Sequence, residues 1–327
     1  MSRHHILCLP LALISAIIVL AGCNTGPSVS GTFDRSYDVT VPIRLELTNA
    51  SGDVTITGSA DGKVRVHGEV RASGIGFDNP QKRLDDTLAN PPVEQRGDTI
   101  RVGKELSRMR NIGISYTIQV PHDTEVSATV ASGTQTIRGV RGPVKVQAAS
   151  GSIRVEKIDH NVQISTASGS VSATDIGSEV RISSASGDAT VSNARGDVIV
   201  NAISGVIHVY KPGARVNADT TSGEVAIQGA ANDVTAHAIS GRVSVQGNPG
   251  SDSYWDLKSL SGGVQLQVPA AANLHLSAEA TSGEIRTDIP IVVEEQGKHS
   301  LRAHMGNGGG RVDVHTVSGE IHVSGTK

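Results

Sequence analysis

The chain has 327 residues, aromatic residues make up 2% of them, and the formal net charge at neutral pH is −3. A globular core relies on large aromatic side chains for much of its buried area, so this composition favours a narrow core of Val, Ile, Ala and Thr. A mildly acidic chain without a basic run excludes a nucleic-acid partner held through its phosphates.

The N-terminus has the pattern of an export signal. A polar start with Arg3 precedes an apolar run over residues 6–19, which is too short for a stable transmembrane helix. The run ends in LAGC at positions 20–23, which resembles the lipobox of bacterial lipoproteins. The resemblance implies a signal peptide over residues 1–22, lipidation of Cys23 and, because Asn24 follows, sorting to an outer membrane. The alternative is an ordinary secretory signal in which the cysteine is incidental.

The segment after the signal is interpreted as a linker. Residues 23–31 comprise the lipidated cysteine and a flexible tether, since NTGPSVSG is rich in small and turn-forming residues. The folded domain is then residues 32–327. Its sequence has no cysteine, because Cys8 lies in the removed segment, which excludes disulfides and thiolate-held metals.

An 18-residue repeat dominates the domain. Ser-Gly dipeptides recur every 18 residues, at Ser132, Ser150, Ser168, Ser186, Ser204, Ser222 and Ser240. Three more copies follow at spacings of 21, 21 and 36, at Ser261, Ser282 and Ser318. Apolar residues keep the same frame, twelve positions after each serine, at Val144, Val162, Val180, Val198, Val216 and Val234. Alternation with period 2 on both sides of the dipeptide predicts two short strands per repeat.

These patterns predict an all-β, parallel β-solenoid with 18-residue coils. Each strand is expected to stack on its counterpart in the next coil at about 4.8 Å. The glycine supplies a corner at positive φ, and the coil is expected to be right-handed. Trp255 occupies a slot that valine holds elsewhere, which predicts a wider coil at that point.

Two segments depart from the repeat, residues 73–96 and 290–311. The first contains a predicted helix over residues 81–88, ended by Asn90-Pro91-Pro92. Unpaired strand edges at the ends of a solenoid invite association, so we expect at least one of these segments to cover an end or pack along the side. With its ends covered, the domain is expected to be a monomeric rod.

The repeats TASGSVSA, TTSGEVAI and AISGRVSV, and the closing GNGGGRVDVHTVSGEIHV, resemble those of the bacterial "putative adhesin" family, a domain of unknown function. The resemblance covers residues from about 40 to 327. It implies an exported β-solenoid in the cell envelope, and it implies no catalytic residues, because the family assigns none.

The outward positions of the strands are the candidate contact residues. Lys145, Gln163 and Arg181 are expected on one sheet, and Arg154 and His208 on the other. Both faces are predicted to be polar and of mixed charge, without the aromatic platform on which sugars commonly stack. They suit an envelope protein or polysaccharide partner, with a membrane contacted through the lipid anchor. They suit a structural spacer equally well.

Cofactor and metal sites are not expected. Calcium-binding β-rolls need Gly-Gly-x-Gly-x-Asp at every turn, whereas the matching positions here are only sporadically acidic. The glycine-rich run at residues 306–310 lacks the Lys-Ser/Thr of a phosphate loop and is predicted to be a turn. His315 and His322 are expected on different faces.

The enzymatic alternative is a polysaccharide lyase or hydrolase. Glycoside hydrolysis needs two carboxyl groups about 5–9.5 Å apart. Asp188 and Glu224 would lie two coils apart, about 9.6 Å, with Val206 between them. Solvated turn charges explain these two residues better, so we expect a non-enzymatic protein.

Anchoring is testable through Cys23. Replacing Cys23 with Ala removes the thiol that would carry the lipid, so the variant should move from the detergent phase to the aqueous phase in detergent-phase partitioning. A wild-type protein that already partitions wholly into the aqueous phase would contradict lipidation.

Overall fold

Alternating apolar and polar residues produce two long β-sheets that face each other across one narrow core. A computed structural model describes residues 28–74, 79–103 and 111–326. These residues contain 29 strands and one helix, arranged as a sheet of 14 strands (sheet A) and a sheet of 15 strands (sheet B). The predicted signal peptide and Cys23 lie outside the described residues.

The N-terminal region combines parallel and antiparallel strands. Its elements are β1 (Ser28–Asp38), β2 (Ile43–Ser51), β3 (Val54–Ser59), β4 (Lys63–Ser73), α1 (Pro80–Ala89), β5 (Val93–Arg96), β6 (Thr99–Val102), β7 (Ile112–Pro121), β8 (Thr124–Ser132) and β9 (Gln135–Arg138). Sheet A runs β1-β4-β7-β3-β9 at this end, and sheet B runs β5-β6-β2-β8. Because β1, β4 and β7 pair antiparallel, as do β5 and β6, antiparallel strands form this end of both sheets.

The centre is a regular stack of coils. Its strands are β10 (Val144–Ala148), β11 (Ile153–Ile158), β12 (Val162–Ser168), β13 (Val171–Ile176), β14 (Val180–Ser186), β15 (Ala189–Ala194), β16 (Val198–Ser204), β17 (Ile207–Tyr210), β18 (Val216–Ser222), β19 (Val225–Ala230), β20 (Val234–Ser240) and β21 (Val243–Gly247). Even-numbered strands lie in sheet B and odd-numbered strands in sheet A. Each coil therefore contributes one strand to each sheet, which confirms the predicted solenoid.

The predicted ladder of buried valines is confirmed residue by residue. Val162 pairs in register with Val180, Val180 with Val198, and Val198 with Val216, and all four are buried. Trp255 continues the ladder opposite Val234, is fully buried, and donates its indole N–H to the Asn232 carbonyl at 2.8 Å. The side chains that face outward from the same strands, such as Arg181, are exposed.

The Ser-Gly corners depend on the absence of a side chain. Gly151, Gly169 and Gly187 have φ of 112°, 114° and 121°, a region that L residues rarely adopt. A Cβ on Gly169 would overlap the carbonyl oxygen of Gly151 in the coil below. The glycines thus stack on one another, and this close approach sets the spacing of the coils at the corner.

A second column of positive-φ residues lies at or just beyond the last residues of the sheet A strands. The column begins with Gly139 and ends with Gly229. The four residues of the column between these two are not glycine: Lys157 (φ 55°), Asp175 (57°), Asn193 (55°) and Lys211 (48°). A left-handed conformation costs an L residue roughly 1–2 kcal/mol. Asn193 offsets part of this cost, since its amide donates to the Asp175 carboxylate at 2.9 Å.

The described part of the first irregular segment contains one helix. The helix predicted over residues 81–88 is α1, and its Asn79 side chain caps the Lys82 N–H at 3.1 Å. α1 packs against β1 and β4, with Leu84 buried. It has 10 residues, and no helix in the described part of the chain is long and apolar enough to cross a membrane.

The predicted tether is shorter than expected. Residues 28–31, assigned to it from their small and polar side chains, belong to β1 and pair with residues 70–73 of β4. Pairing along β4 gives this segment backbone hydrogen bonds that its composition did not suggest.

The C-terminal region departs from sequence order. Its strands are β22 (Tyr254–Ser261), β23 (Val264–Val268), β24 (Leu274–Ser282), β25 (Ile285–Thr287), β26 (Val292–Gln296), β27 (Ser300–Met305), β28 (Gly310–Ser318) and β29 (Ile321–Gly325). The final coil, β28 and β29, lies between the coil of β22 and β23 and the coil of β24 and β25. The Ser-Gly corners agree, because Ser318 pairs with both Ser261 and Ser282.

An antiparallel hairpin covers the end of sheet B. β27 pairs with β24 and β26 with β27, and Leu301, Ala303 and Met305 are buried. The second irregular segment therefore covers an end, as expected. The glycine-rich run is a turn into β28, with Gly306 at φ 59° and Gly308 at 75°.

The inward–outward assignment can be tested with one buried and one exposed residue. Val198→Asp would place an unpaired charge in the core and should destabilise the domain by several kcal/mol. Arg181→Ser removes only an exposed ion pair with Glu179 and should cost at most about 1 kcal/mol. Denaturant unfolding measures both, and equal losses would contradict the assignment.

Backbone strain at the second corner can be relieved. Lys157→Gly should raise the free energy of unfolding by about 0.5–1 kcal/mol, because glycine adopts positive φ freely while gaining some entropy when unfolded. The matched control is Lys145→Gly, in the extended strand β10, which should lower stability by about 0.5–1 kcal/mol. Changes of the same sign in the two variants would rule out the strain at Lys157.

Candidate contact surfaces

The five predicted contact residues lie on the outer faces of the two sheets, as the alternation predicts. Lys145, Gln163 and Arg181 occupy neighbouring strands of sheet B in one ladder. Arg154 and His208 lie in one ladder of sheet A, three strands apart, with Ser172 and Thr190 between them. Since the sheets face each other across the core, their outer faces point away from each other. A partner that binds one face flatly contacts only its own subset.

The outer face of sheet B carries a chain of ion pairs toward its C-terminal end. His237 lies between Asp219 and Asp256, with each ring nitrogen 3.2 Å from one carboxylate oxygen. Lys258 contacts the same Asp256 carboxylate at 2.7 Å. The hydrogen bond to Asp219 is the main cause that raises the pKa of His237, with Asp256 adding to it against desolvation.

A second group continues this pattern. The Tyr254 hydroxyl donates to the Asp313 carboxylate at 2.9 Å, and Arg311 contacts the same carboxylate at 2.9 Å. The Arg311 guanidinium also lies over the Tyr254 ring, 5.6 Å from its centre. The hydrogen bond to Asp313 raises the pKa of Tyr254. Charged groups on this part of sheet B are thus satisfied by one another.

The outer face of sheet A differs. On β13, β15, β17, β19, β21 and β23, the two outward positions of each strand form what we call the neutral strip: Ser172, Thr174, Thr190, Ser192, His208, Tyr210, Ala226, Gln228, Ser244, Gln246, Gln265 and Gln267. It contains no Asp, Glu, Lys or Arg. Within the described part of the chain, none of its side chains makes a hydrogen bond or ion pair.

An aromatic pair lies in the middle of this strip, and the expectation of faces without an aromatic platform was wrong. Tyr210 is directed outward two residues after His208, and the two rings are nearly parallel, with centres 5.9 Å apart and an interplanar angle of 12°. The His208 Nδ1 is buried and lacks a hydrogen-bond partner. The sequence could have predicted this pair, because the alternation that places His208 outward also places Tyr210, two residues later, outward.

Asp188 and Glu224, the two carboxylates of the enzymatic alternative, lie at Ser-Gly corners of the coils. Asp188 accepts a hydrogen bond from the Val206 N–H at 2.9 Å, so it holds the backbone of the next coil. Glu224 follows one coil further, beyond Val206.

A cavity lies at the N-terminal end of the described domain. It has a volume of about 890 Å³ between β1, β4, β7 and the Ser51-Gly52 corner. Its lining includes one carboxylate, Glu69, and one guanidinium, Arg71, among small polar residues. Among the described lining residues there is no pair of carboxyl groups of the kind that glycoside hydrolysis needs.

His315 and His322, the histidines considered as metal ligands, lie on different sheets. His315 lies on β28 in sheet B and His322 on β29 in sheet A, where its ring is 2.6 Å from Asp288. Among the residues described, no group of three or more His, Cys, Asp or Glu side chains is arranged to hold a metal ion.

These features define a two-sheet, parallel β-solenoid-like repeat protein with polar outer faces. The sequence matches the family model Toastrack DUF4097 over residues 42–324, and the chain belongs to that family. No curated protein matches it.

Two solved structures resemble the chain. One is a "putative cell adhesion protein" from Clostridium sporogenes, with 10% identity and a TM-score of 0.22, over 90% of this chain and 100% of that one. The other is a "putative adhesin" from Bacteroides fragilis, with 12% identity and a TM-score of 0.24, over 90% and 97%. Both TM-scores are below 0.5, so the family assignment rests on the sequence match.

The His237 cluster predicts a pH dependence. Its folded-state pKa is raised above the usual 6.5, so its contribution is fully present below about pH 6.5 and is lost as the pH rises through the folded value. Relative to His237→Gln, the wild type should gain at most about 1 kcal/mol at pH 5.5 and little at pH 8, since the side chain is 36% exposed.

Unfolding at several pH values measures this difference. The control is His160→Gln, whose ring is exposed and contacts Asn161 rather than a carboxylate. A His237 difference that does not change with pH would refute the coupling to Asp219 and Asp256.

Proposed function

We propose that this protein is a non-enzymatic, lipid-anchored protein of the bacterial cell envelope, adhesin-like or scaffolding, that contacts a protein or polymer partner through a polar sheet face. The observation that carries the proposal is the neutral strip. Eleven of its twelve outward positions, on six neighbouring strands, offer hydroxyl, amide or ring groups that have no hydrogen-bond partner in the described part of the chain. The family assignment and the LAGC sequence at positions 20–23 support an exported, anchored protein.

The faces are unequal in this proposal. Sheet B satisfies its charges internally near His237 and Asp313, so a ligand there would have to replace existing ion pairs. The neutral strip of sheet A presents hydroxyl, amide and ring groups that have no hydrogen-bond partner in the described part of the chain. A partner that binds these groups gains contacts without breaking any within the described part of the protein. The contact surface is therefore assigned to sheet A.

Envelope fractions from the source bacterium provide the test. The full chain, held in vesicles through its anchor, should capture a component saturably. Arg154→Ser combined with His208→Ser, both on sheet A, should weaken capture at least tenfold. Lys145→Ser combined with Arg181→Ser is the matched change on sheet B and should leave capture within twofold of the wild type.

Other outcomes would favour the alternatives. Cleavage of an envelope polysaccharide, lost in Asp188→Asn or Glu224→Gln, would replace the proposal with an enzyme. A complete absence of saturable capture would leave a structural spacer.

A further inference from the structure

The side chains of the neutral strip suit one class of ligand. The inference drawn from them rests on the proposed function, in which sheet A is the contact surface. An acidic or basic polymer finds no formal charge on it with which to pair. A partner that docks through apolar side chains finds only Ala226 and the ring of Tyr210 among the twelve residues, which is too little apolar surface for such a contact. Serine and threonine hydroxyls and glutamine amides remain, and both can donate and accept hydrogen bonds. Groups with this double capacity match the hydroxyl groups of uncharged sugars.

Tyr210 supplies the second element of sugar recognition. An aromatic ring offers a flat apolar surface beside a polar tip, and such a surface packs against the C–H face of a pyranose. The ring lies next to His208 and, on the following strand, opposite Gln228. A sugar over the ring is thus within reach of an amide that can bind its hydroxyl groups.

Register extends these contacts along the rod. The strip repeats its two outward positions on successive strands about 4.8 Å apart, so it runs about 24 Å from β13 to β23. Gln228 and Gln246 pair in register, and Gln246 pairs with Gln267. Repeated, equally spaced contacts on a flat surface suit a chain of similar units. Each contact is weak in water, and affinity rises with the number made at once.

We propose that the neutral strip of sheet A binds an uncharged linear polysaccharide, with Tyr210 packing against a sugar ring and Gln228 and Gln246 binding its hydroxyl groups. The chain lies across the strands, along the axis of the rod. Affinity increases with oligosaccharide length until the ligand spans the strip.

The experiment is titration of the detergent-solubilised full chain with defined probes. These are the trimers and hexamers of β-1,4-linked glucose, α-1,4-linked glucose and β-1,4-linked N-acetylglucosamine, with polygalacturonate as an acidic comparison. At least one neutral hexamer should bind at least tenfold more tightly than its trimer, and polygalacturonate should not bind. Failure of every neutral hexamer to bind, or equal binding of polygalacturonate, would overturn the proposal.

Variants locate the site. Tyr210→Ala, and separately Gln228→Ala combined with Gln246→Ala, should each weaken hexamer binding at least tenfold. Gln163→Ala is the matched control, because Gln163 is an exposed, outward glutamine of sheet B, and it should change affinity less than twofold. Equal weakening by the sheet B control would place the site elsewhere. If Tyr210→Ala fails to fold, as judged by thermal unfolding, the glutamine pair decides the outcome.

The result separates this inference from the proposed function. Saturable capture of an envelope component that depends on sheet A, together with no binding of neutral oligosaccharides, would refute the polysaccharide and leave the contact surface. Loss of both would refute the two proposals together.

Discussion

Backbone packing at the Ser-Gly corner is the constraint on which the rest of this molecule depends. Gly169 approaches the Gly151 carbonyl so closely that no side chain fits between the coils, and the same stacking continues through Gly187 and Gly205. This approach holds successive coils in one register. Register places Val180 over Val162 in the core and Arg181 over Gln163 outside. A narrow core without large aromatic side chains is sufficient because every coil buries the same small apolar residues against its two neighbours.

Much of this arrangement follows from the sequence, because a fixed repeat length and an alternation of period 2 determine which residues share a ladder. The solenoid, the buried valines and the position of Trp255 were predicted on that basis, and the helix α1 was predicted where the repeat breaks, before Asn90-Pro91-Pro92. The placement of the last coil was not, since Ser261, Ser282 and Ser318 satisfy the same corner geometry and spacing cannot rank them as neighbours. The hairpin of β26 and β27 decides the order by pairing with the outer edge of β24.

The candidate contact surface was likewise predicted only in part from the sequence. Alternation correctly predicts that Lys145, Arg154, Gln163, Arg181 and His208 face outward, but it does not indicate which outward groups already have partners. That depends on which charges meet on adjacent coils. Asp219, His237 and Asp256 meet on sheet B, whereas the middle strands of sheet A bring together hydroxyl and amide groups. The two faces thus differ both in charge and in what they can offer a ligand.

The insertion of the final coil has a consequence for biogenesis. β22 meets its neighbour β28 across a sequence separation of more than fifty residues, although both belong to consecutive layers of the stack. Contacts of this kind form late, because the loop must close before they contribute. A chain that emerges with its N-terminus first can assemble coils in order up to β23, and then waits for residues 310–325 before β24 acquires a parallel partner. Premature termination or clipping within these residues would leave the layer of β24 and β25 detached, so the stack itself distinguishes a complete chain from a truncated one.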